Sequence, residues 1–238
     1  MPTSSKYFVV EGNIGAGKST FLKIIKQHLN TTIVYEPVDK WQNIAGDNLL
    51  ERFYSDTSRW AYTFQTYAFI TRILEHELHS HKNAYPFLVC ERSVYSDRYC
   101  FAANCAEAGL MSPLEWEIYK NWFSWLTESR MEKPSGFIYL QTDPEMCYER
   151  LLKRNRSEEA GVSIDYLKKL HERHEKWLIQ KEELYPTLKN VPVLVLDCNH
   201  EFESSKARQQ ELINDIATFL STQYNIQRDI SLSQTSPL

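Results

Sequence analysis

Glycine is scarce in this chain, seven among 238 residues, yet Gly12, Gly15 and Gly17 fall together in one short stretch near the start. Cysteine is also sparse. Cys90, Cys100, Cys105, Cys147 and Cys198 are odd in number and show no C-x-x-C spacing, which speaks against a disulfide framework and for a reduced, cytosol-like compartment. No apolar run approaches the roughly 18 residues needed to span a bilayer, and Met1-Pro2-Thr3-Ser4-Ser5-Lys6 offers no apolar signal region; the expectation is a cytoplasmic protein with no membrane partner. Basic excess is missing too. The 27 Lys and Arg are outnumbered by 31 Asp and Glu, for a formal charge of −4, so the electrostatic footprint of a nucleic-acid binder is absent and a small substrate is expected. There is no internal repeat. What the chain does have is 42% hydrophobic residues and 13% aromatics, enough for a sizeable core at a length that suits one α/β domain.

The clustered glycines form Gly12-Asn13-Ile14-Gly15-Ala16-Gly17-Lys18-Ser19, which satisfies G-x-x-x-x-G-K-[ST]. The short apolar run Tyr7 to Val10 precedes it, and the amphipathic segment Phe21, Leu22, Ile24, Ile25, Leu29 follows. Strand, loop and helix are the context this motif needs. Such a loop points unpaired backbone N–H groups inward at the positive end of a helix dipole, where they cradle phosphate oxygens. Lys18 then reaches the outer phosphates and the Ser19 hydroxyl ligates Mg²⁺.

Along the chain, strands and helices alternate, which predicts a mostly parallel sheet covered on both faces. The expected strands are Tyr7 to Val10, Thr32 to Tyr35, Phe87 to Cys90, Gly136 to Leu140 and Val191 to Leu196. A long aromatic-rich helix is expected from Ser58, as its cap, to about His79, and another from Pro113 to about Arg130 behind the cap Ser112. Two more begin near Pro144 and Ser163. The polar segment Arg154 to Gly161 between them reads as a mobile loop, and Asn225 to Leu238 reads as a loose tail after a domain spanning residues 1–224.

Two carboxylates follow expected strands: Glu36, in Glu36-Pro37-Val38, and Glu91, in Glu91-Arg92-Ser93. The carboxyl edge of an open α/β sheet is where ligands bind. Glu36 is the candidate general base. Glu91 is the candidate Mg²⁺ carboxylate, preferred over Asp197 because Arg92 adds a phosphate-side guanidinium to the same strand end. Singly, such carboxylates cap helices or pair with lysines; beside a phosphate loop they make a site. His171 and His174 share a helical face, but no third or fourth ligand stands at suitable spacing, and they read as structural. His79 and His81 flank a helix end, where an imidazole suits the dipole.

Glu11 to Thr20, Glu36-Pro37-Val38 with Trp41, Arg59-Trp60 leading to Thr63-Phe64-Gln65-Thr66-Tyr67, and Glu91 to Tyr99 together resemble the deoxynucleoside kinases, most nearly the deoxycytidine and deoxyguanosine kinase branch. The likeness continues through Glu115-Trp116, the arginine loop at 154–161, Tyr166-Leu167, His174-Glu175, Trp177-Leu178 and Leu196-Asp197 with Phe202, covering about residue 6 to residue 222. It implies a P-loop NTPase-like α/β fold with a five-stranded parallel sheet, helices on both faces and a mobile lid. It also implies ATP, or another nucleoside triphosphate, as phosphate donor, Mg²⁺ as cofactor, and a deoxynucleoside as acceptor.

On that resemblance, Glu36 is the carboxylate that takes the proton of the sugar 5′-hydroxyl, and Arg92 holds hydroxyl and carboxylate in register. Gly12, Asn13, Ile14, Gly15, Ala16, Gly17, Lys18, Ser19 and Thr20 bind phosphate, with Arg150, Arg154 and Arg156 adding charge and Ser19 and Glu91 holding the metal. Gln65 bonds the base edge, Phe64 and Phe101 sandwich the base, Trp41 walls the pocket, and Tyr54 with Glu159 bonds the 3′-hydroxyl. Trp60 stays in the core. Phe202 lies in the loop near the donor base.

Ala68, Arg72 and Asp97 stand where the family separates acceptors with an amino or purine edge from thymidine. A polar rim of Arg and Asp favours deoxycytidine and the purine deoxynucleosides, whereas a thymine methyl needs an apolar niche; the same pair also reads as a salt bridge supporting the helix. A guanine-reading N-K-x-D and an L-S-G-G-Q segment are both missing, which sets aside a GTPase switch and a transporter subunit. A thymidylate kinase shares the fold but needs an acceptor phosphate site. Trp116, Ile118, Tyr119, Trp122, Phe123 and Trp125 are more apolar than one buried helix face requires, which points to a homodimer.

Overall fold

The computed structural model describes residues 6–80 and 87–224, so the expected tail from Asn225 onward and His81 lie outside the described residues. β1 (Lys6–Glu11), β2 (Thr31–Val34), β3 (Phe87–Glu91), β4 (Gly136–Gln141) and β5 (Val193–Asp197) form one parallel sheet in the order β2-β3-β1-β4-β5. Near-continuous apolar runs make these strands because helices cover both faces of the sheet; β1 is buried from Tyr7 to Glu11. β5 starts two residues later than its apolar run suggests. Val191 still donates its amide to Leu188 O, closing a turn, and Pro192 has no amide to give.

From β1 the chain enters α1 (Lys18–His28), then α2 (Val38–Gln42), α3 (Leu49–Ser55) and the long α4 (Thr57–Ser80). Asp56, not Ser58, caps α4: its Oδ1 accepts the Arg59 amide at 3.1 Å. After β3 come α5 (Val94–Ser96), a π-helical turn (Asp97–Ala102) and α6 (Ala103–Glu107), none of them expected from periodicity. α7 (Pro113–Arg130) opens on a capping box in which Ser112 and Glu115 satisfy each other's amides. α8 (Pro144–Arg154) and α9 (Ile164–His174) flank the expected loop, which contains a 3₁₀ turn over Ser157–Glu159. α10 (Lys206–Tyr224) closes the described chain; it too was missed, although Leu212, Ile213, Ile216 and Leu220 carry its buried stripe.

The core lies between sheet and helices, with Phe8, Phe21, Ile25, Phe69, Tyr119, Phe137 and Trp177 fully enclosed. Trp60, expected inside, sits half-buried at the edge beneath the guanidinium groups of Arg52 and Arg59. His174 is buried, stacks on Tyr139 and bonds Leu170 O through Nδ1. All five cysteines are buried free thiols. Among the described residues, no helix is long and apolar enough to cross a membrane. β2 and β3 lie to one side of β1 and β4 and β5 to the other, which opens a crevice at the carboxyl ends around β1 and places the glycine loop in it.

Candidate active site

The loop between β1 and α1 is shaped by its glycines. Gly15 has φ +81° and a Cβ there would lie 2.2 Å from Cys147 O; a Cβ on Gly17, at φ +92°, would lie 2.7 Å from the Phe202 ring. Only glycine fits. Asn13 anchors the loop by donating Nδ2 to Leu167 O at 2.8 Å, and Lys18 Nζ donates to Gly12 O and Asn13 O at 3.1 and 2.7 Å. Burial, with help from nearby Arg92, lowers the Lys18 pKa to about 7. Ser19 Oγ, in the first turn of α1, donates to Glu91 Oε1 at 2.7 Å. Of the two candidate carboxylates, Glu91 is the one bonded to Ser19, whereas Asp197 ends β5 at the sheet's edge and its side chain accepts the Asn199 amide.

Glu36, two residues beyond β2, meets two guanidinium groups. Its Oε1 lies 3.0 Å from Arg72 Nη2 and 3.3 Å from Arg92 Nε. Burial opposes ionisation, but Arg92, Arg72 and Lys18 outweigh it and hold the Glu36 carboxyl at about 2. Arg92 sits at φ +60°, unusual for a non-glycine residue. Its amide bonds Val10 O and its Nη1 bonds Gly12 O, both at 2.9 Å, so the strained turn is tied to β1 and to the first residue of the glycine loop. Beside it, Ser93 Oγ donates at 2.5 Å to the buried Glu11, the residue just before the glycine loop; burial, against the Ser93 bond and Arg92, raises the Glu11 carboxyl to about 7.

Arg72 and Asp97 form a buried two-pronged pair, Nε to Oδ2 at 2.8 Å and Nη2 to Oδ1 at 3.1 Å, while Arg72 Nη1 reaches Glu91 O at 3.1 Å. The π turn brings Asp97 and Phe101 to the crevice, a recurrent use of such turns. One cavity of about 880 Å³ runs from Gly15, Gly17, Lys18, Ser19 and Thr20 past Glu36, Glu91 and Arg92 to Trp41, Tyr54, Arg72, Asp97 and Phe101. Arg150, Arg154, Arg156, Glu159 and Phe202 line it as well. Phe64, Gln65 and Ala68 do not. They are buried one layer behind, where Phe53 stacks on Phe64 at 4.5 Å and the Gln65 amide makes a long contact of 4.0 Å with Cys105 Sγ. Leu50 lines the cavity in their stead; it stands one helical turn before Tyr54 on α3, which is the signal that could have found it.

Across the opening, Arg154 and Arg156 both grip the buried Glu159, the latter at 3.1 Å. Arg150 donates to Ala16 O and His200 O and lies 5.6 Å from the Phe202 ring.

A strand–loop–helix phosphate cradle, a hydroxyl and carboxylate joined beside it, and a second carboxylate clamped by two arginines in the same cavity define a P-loop phosphotransferase. The model of the family described as deoxynucleoside kinase matches residues 8–221. Deoxycytidine kinase 2 of Gallus gallus is 42% identical, over 90% of this chain and 89% of the relative. Deoxycytidine kinase of Homo sapiens is 39% identical over 92% and 93%, and the mitochondrial deoxyguanosine kinase of Xenopus laevis 39% over 91% and 90%. The chain belongs to the deoxynucleoside kinase family and is a kinase that uses a nucleoside triphosphate as phosphate donor.

Proposed function

We propose that this kinase transfers the γ-phosphoryl group of ATP to the 5′-hydroxyl of a deoxynucleoside in nucleotide salvage, favouring deoxycytidine and the purine deoxynucleosides over thymidine. The observation that carries this reading is Glu36, ionised between Arg72 and Arg92 where the phosphate cradle meets the aromatic end of one cavity. The relatives named deoxycytidine and deoxyguanosine kinase agree with the substrate choice.

In this reading Glu36 orients the 5′-hydroxyl and accepts its proton. A carboxyl held at about 2 is a weak base, so the proton moves late, once the bond to phosphorus has made the hydroxyl acidic. Arg92 keeps Glu36 and the hydroxyl in line. Lys18, Arg150, Arg154 and Arg156 spread over the transferring oxygens, and the amides of residues 12–20 cradle the donor's phosphates while Phe202 flanks its base. The Ser19 hydroxyl and the Glu91 carboxylate, already in contact, suit a hard cation; Mg²⁺ held there would supply charge neutralisation for the donor's phosphates.

At the acceptor end, Tyr54 and Glu159 bond the 3′-hydroxyl, Phe101 and Trp41 wall the base, and Arg72 with Asp97 present the polar rim. Phe64, Gln65 and Ala68, buried behind the cavity lining, back this wall from one layer away. Residues 1–224 act as one domain with its lid at 154–161, supported by a single continuous core.

The enzyme works as a cytoplasmic homodimer. Ile70, Leu74 and Leu78 leave an exposed apolar stripe on α4, and Ile118, Trp122 and Trp125 another on α7, which packs beside it. Such a surface suits a second copy of the chain, and five reduced buried thiols suit the cytosol. Offering deoxynucleosides and deoxynucleoside monophosphates as rival acceptors with ATP and Mg²⁺ tests the central reading: the nucleosides are phosphorylated, and phosphorylation of the monophosphates alone would refute it.

A further inference from the structure

The lid carries neighbouring glutamates that face opposite ways. Glu159 is buried and faces inward to Arg154 and Arg156. Glu158 is half-buried and reaches across to the opposite wall: its Oε1 accepts Gln42 Nε2 at 2.6 Å and Asn48 Nδ2 at 3.1 Å, while Oε2 accepts Ser157 Oγ at 3.1 Å. These partners are more than a hundred residues away in sequence, and both sit on the elements that build the acceptor end. Gln42 ends α2, which starts two residues after Glu36 and carries Trp41; Asn48 caps α3, which carries Tyr54, by accepting the Glu51 amide at 3.0 Å. Burial works against the Glu158 charge, but bonds from its own backbone amide, Asn48 and Gln42 prevail and hold its carboxyl at about 2, so both bonds are charge-assisted at any working pH. In a 3₁₀ turn successive side chains point about 120° apart. Fixing Glu158 outward therefore fixes Glu159 inward, and with it the two arginines.

We propose that Glu158 is a positioning residue whose clasp on Gln42 and Asn48 shuts the arginine segment over a bound deoxynucleoside and sets how fast that nucleoside leaves. The proposal rests on the reading of this cavity as the nucleoside site. Gln42 is the side chain of the clasp that can be removed without uncapping a helix, and the region of Glu158 is polar surface, so the variants keep the fold.

The test uses the full chain and deoxycytidine. Release is followed by stopped-flow tryptophan fluorescence, alongside KM, kcat and Tm, for Glu158→Ala, Glu158→Gln, Gln42→Ala and the Glu158→Ala/Gln42→Ala pair. Losing the charge-assisted bonds should speed release and raise the nucleoside KM about tenfold, by a larger factor than any change in kcat, with Tm nearly constant. Glu158→Gln, which keeps an acceptor oxygen, should fall between, and the double variant should match Glu158→Ala alone. Wild-type release in Glu158→Ala, full additivity with Gln42→Ala, or faster release only in step with a falling Tm overturns the clasp. Wild-type protein that binds none of deoxycytidine, deoxyadenosine and deoxyguanosine overturns the nucleoside-site reading and the clasp with it.

Discussion

The two ends of the cavity are built by different physics. The phosphate end is made of backbone: eight consecutive residues, Gly12 to Ser19, whose course is set by positive-φ glycines and by close packing against Cys147 and Phe202. The acceptor end is made of side chains drawn from α2, α3, α4, the π turn and the lid, held by the Arg72–Asp97, Arg72–Glu36 and Arg156–Glu159 ion pairs. A backbone cradle can serve every nucleoside triphosphate alike, because all share the same phosphates. Selection among acceptors has to come from side chains that substitution can change.

If the ends are separable, a change at one should spare ligand affinity at the other. The largest effect is expected at their junction. Glu36→Gln should lower kcat by about 10²- to 10⁴-fold while leaving deoxynucleoside affinity within a few-fold; near-normal turnover in a folded variant would remove Glu36 as the base. Next comes Gly15→Ala, which meets both a positive φ and Cys147 O at 2.2 Å. ATP affinity should weaken about tenfold to a hundredfold with deoxynucleoside binding, followed by fluorescence, nearly constant, and equal losses at both ends would erase the distinction.

Arg72→Met with Asp97→Ala probes the acceptor end. Either change alone strands a buried charge at a cost of about 3–5 kcal/mol, so the pair is changed together. Because Arg72 also holds Glu36, kcat should drop for every nucleoside, while kcat/KM for thymidine relative to deoxycytidine rises about tenfold. An unchanged ratio in a stable double variant would show that the pair braces α4 and does not read the base. The smallest effect belongs to Arg156→Lys, which keeps the charge but loses the planar fork: turnover should fall a few-fold, about 1 kcal/mol, with little change in Tm. Parallel loss of Tm and turnover would make Arg156 a structural brace.

The same contrast explains what the sequence reveals. The glycine loop, all five strands, the cap at Ser112 and the helix start near Ser163 are local signals, written in a few consecutive residues, and the structure has them within two residues of expectation. The π turn that aims Asp97 and Phe101 inward follows no simple periodicity. Glu158 looked like one more charge in a polar loop, since its partners Gln42 and Asn48 are distant in the chain and only the fold brings them near. Helix α4 is rich in aromatics along its length, and nothing local tells that Phe64 stacks on Phe53 in the core instead of lining the cavity.

The most direct measurement is the initial rate of 5′-monophosphate formation from each of the four deoxynucleosides with ATP and Mg²⁺, compared as kcat/KM. Higher values for deoxycytidine, deoxyadenosine or deoxyguanosine than for thymidine are predicted; a preference for thymidine, or no phosphorylation of any nucleoside, would contradict the account.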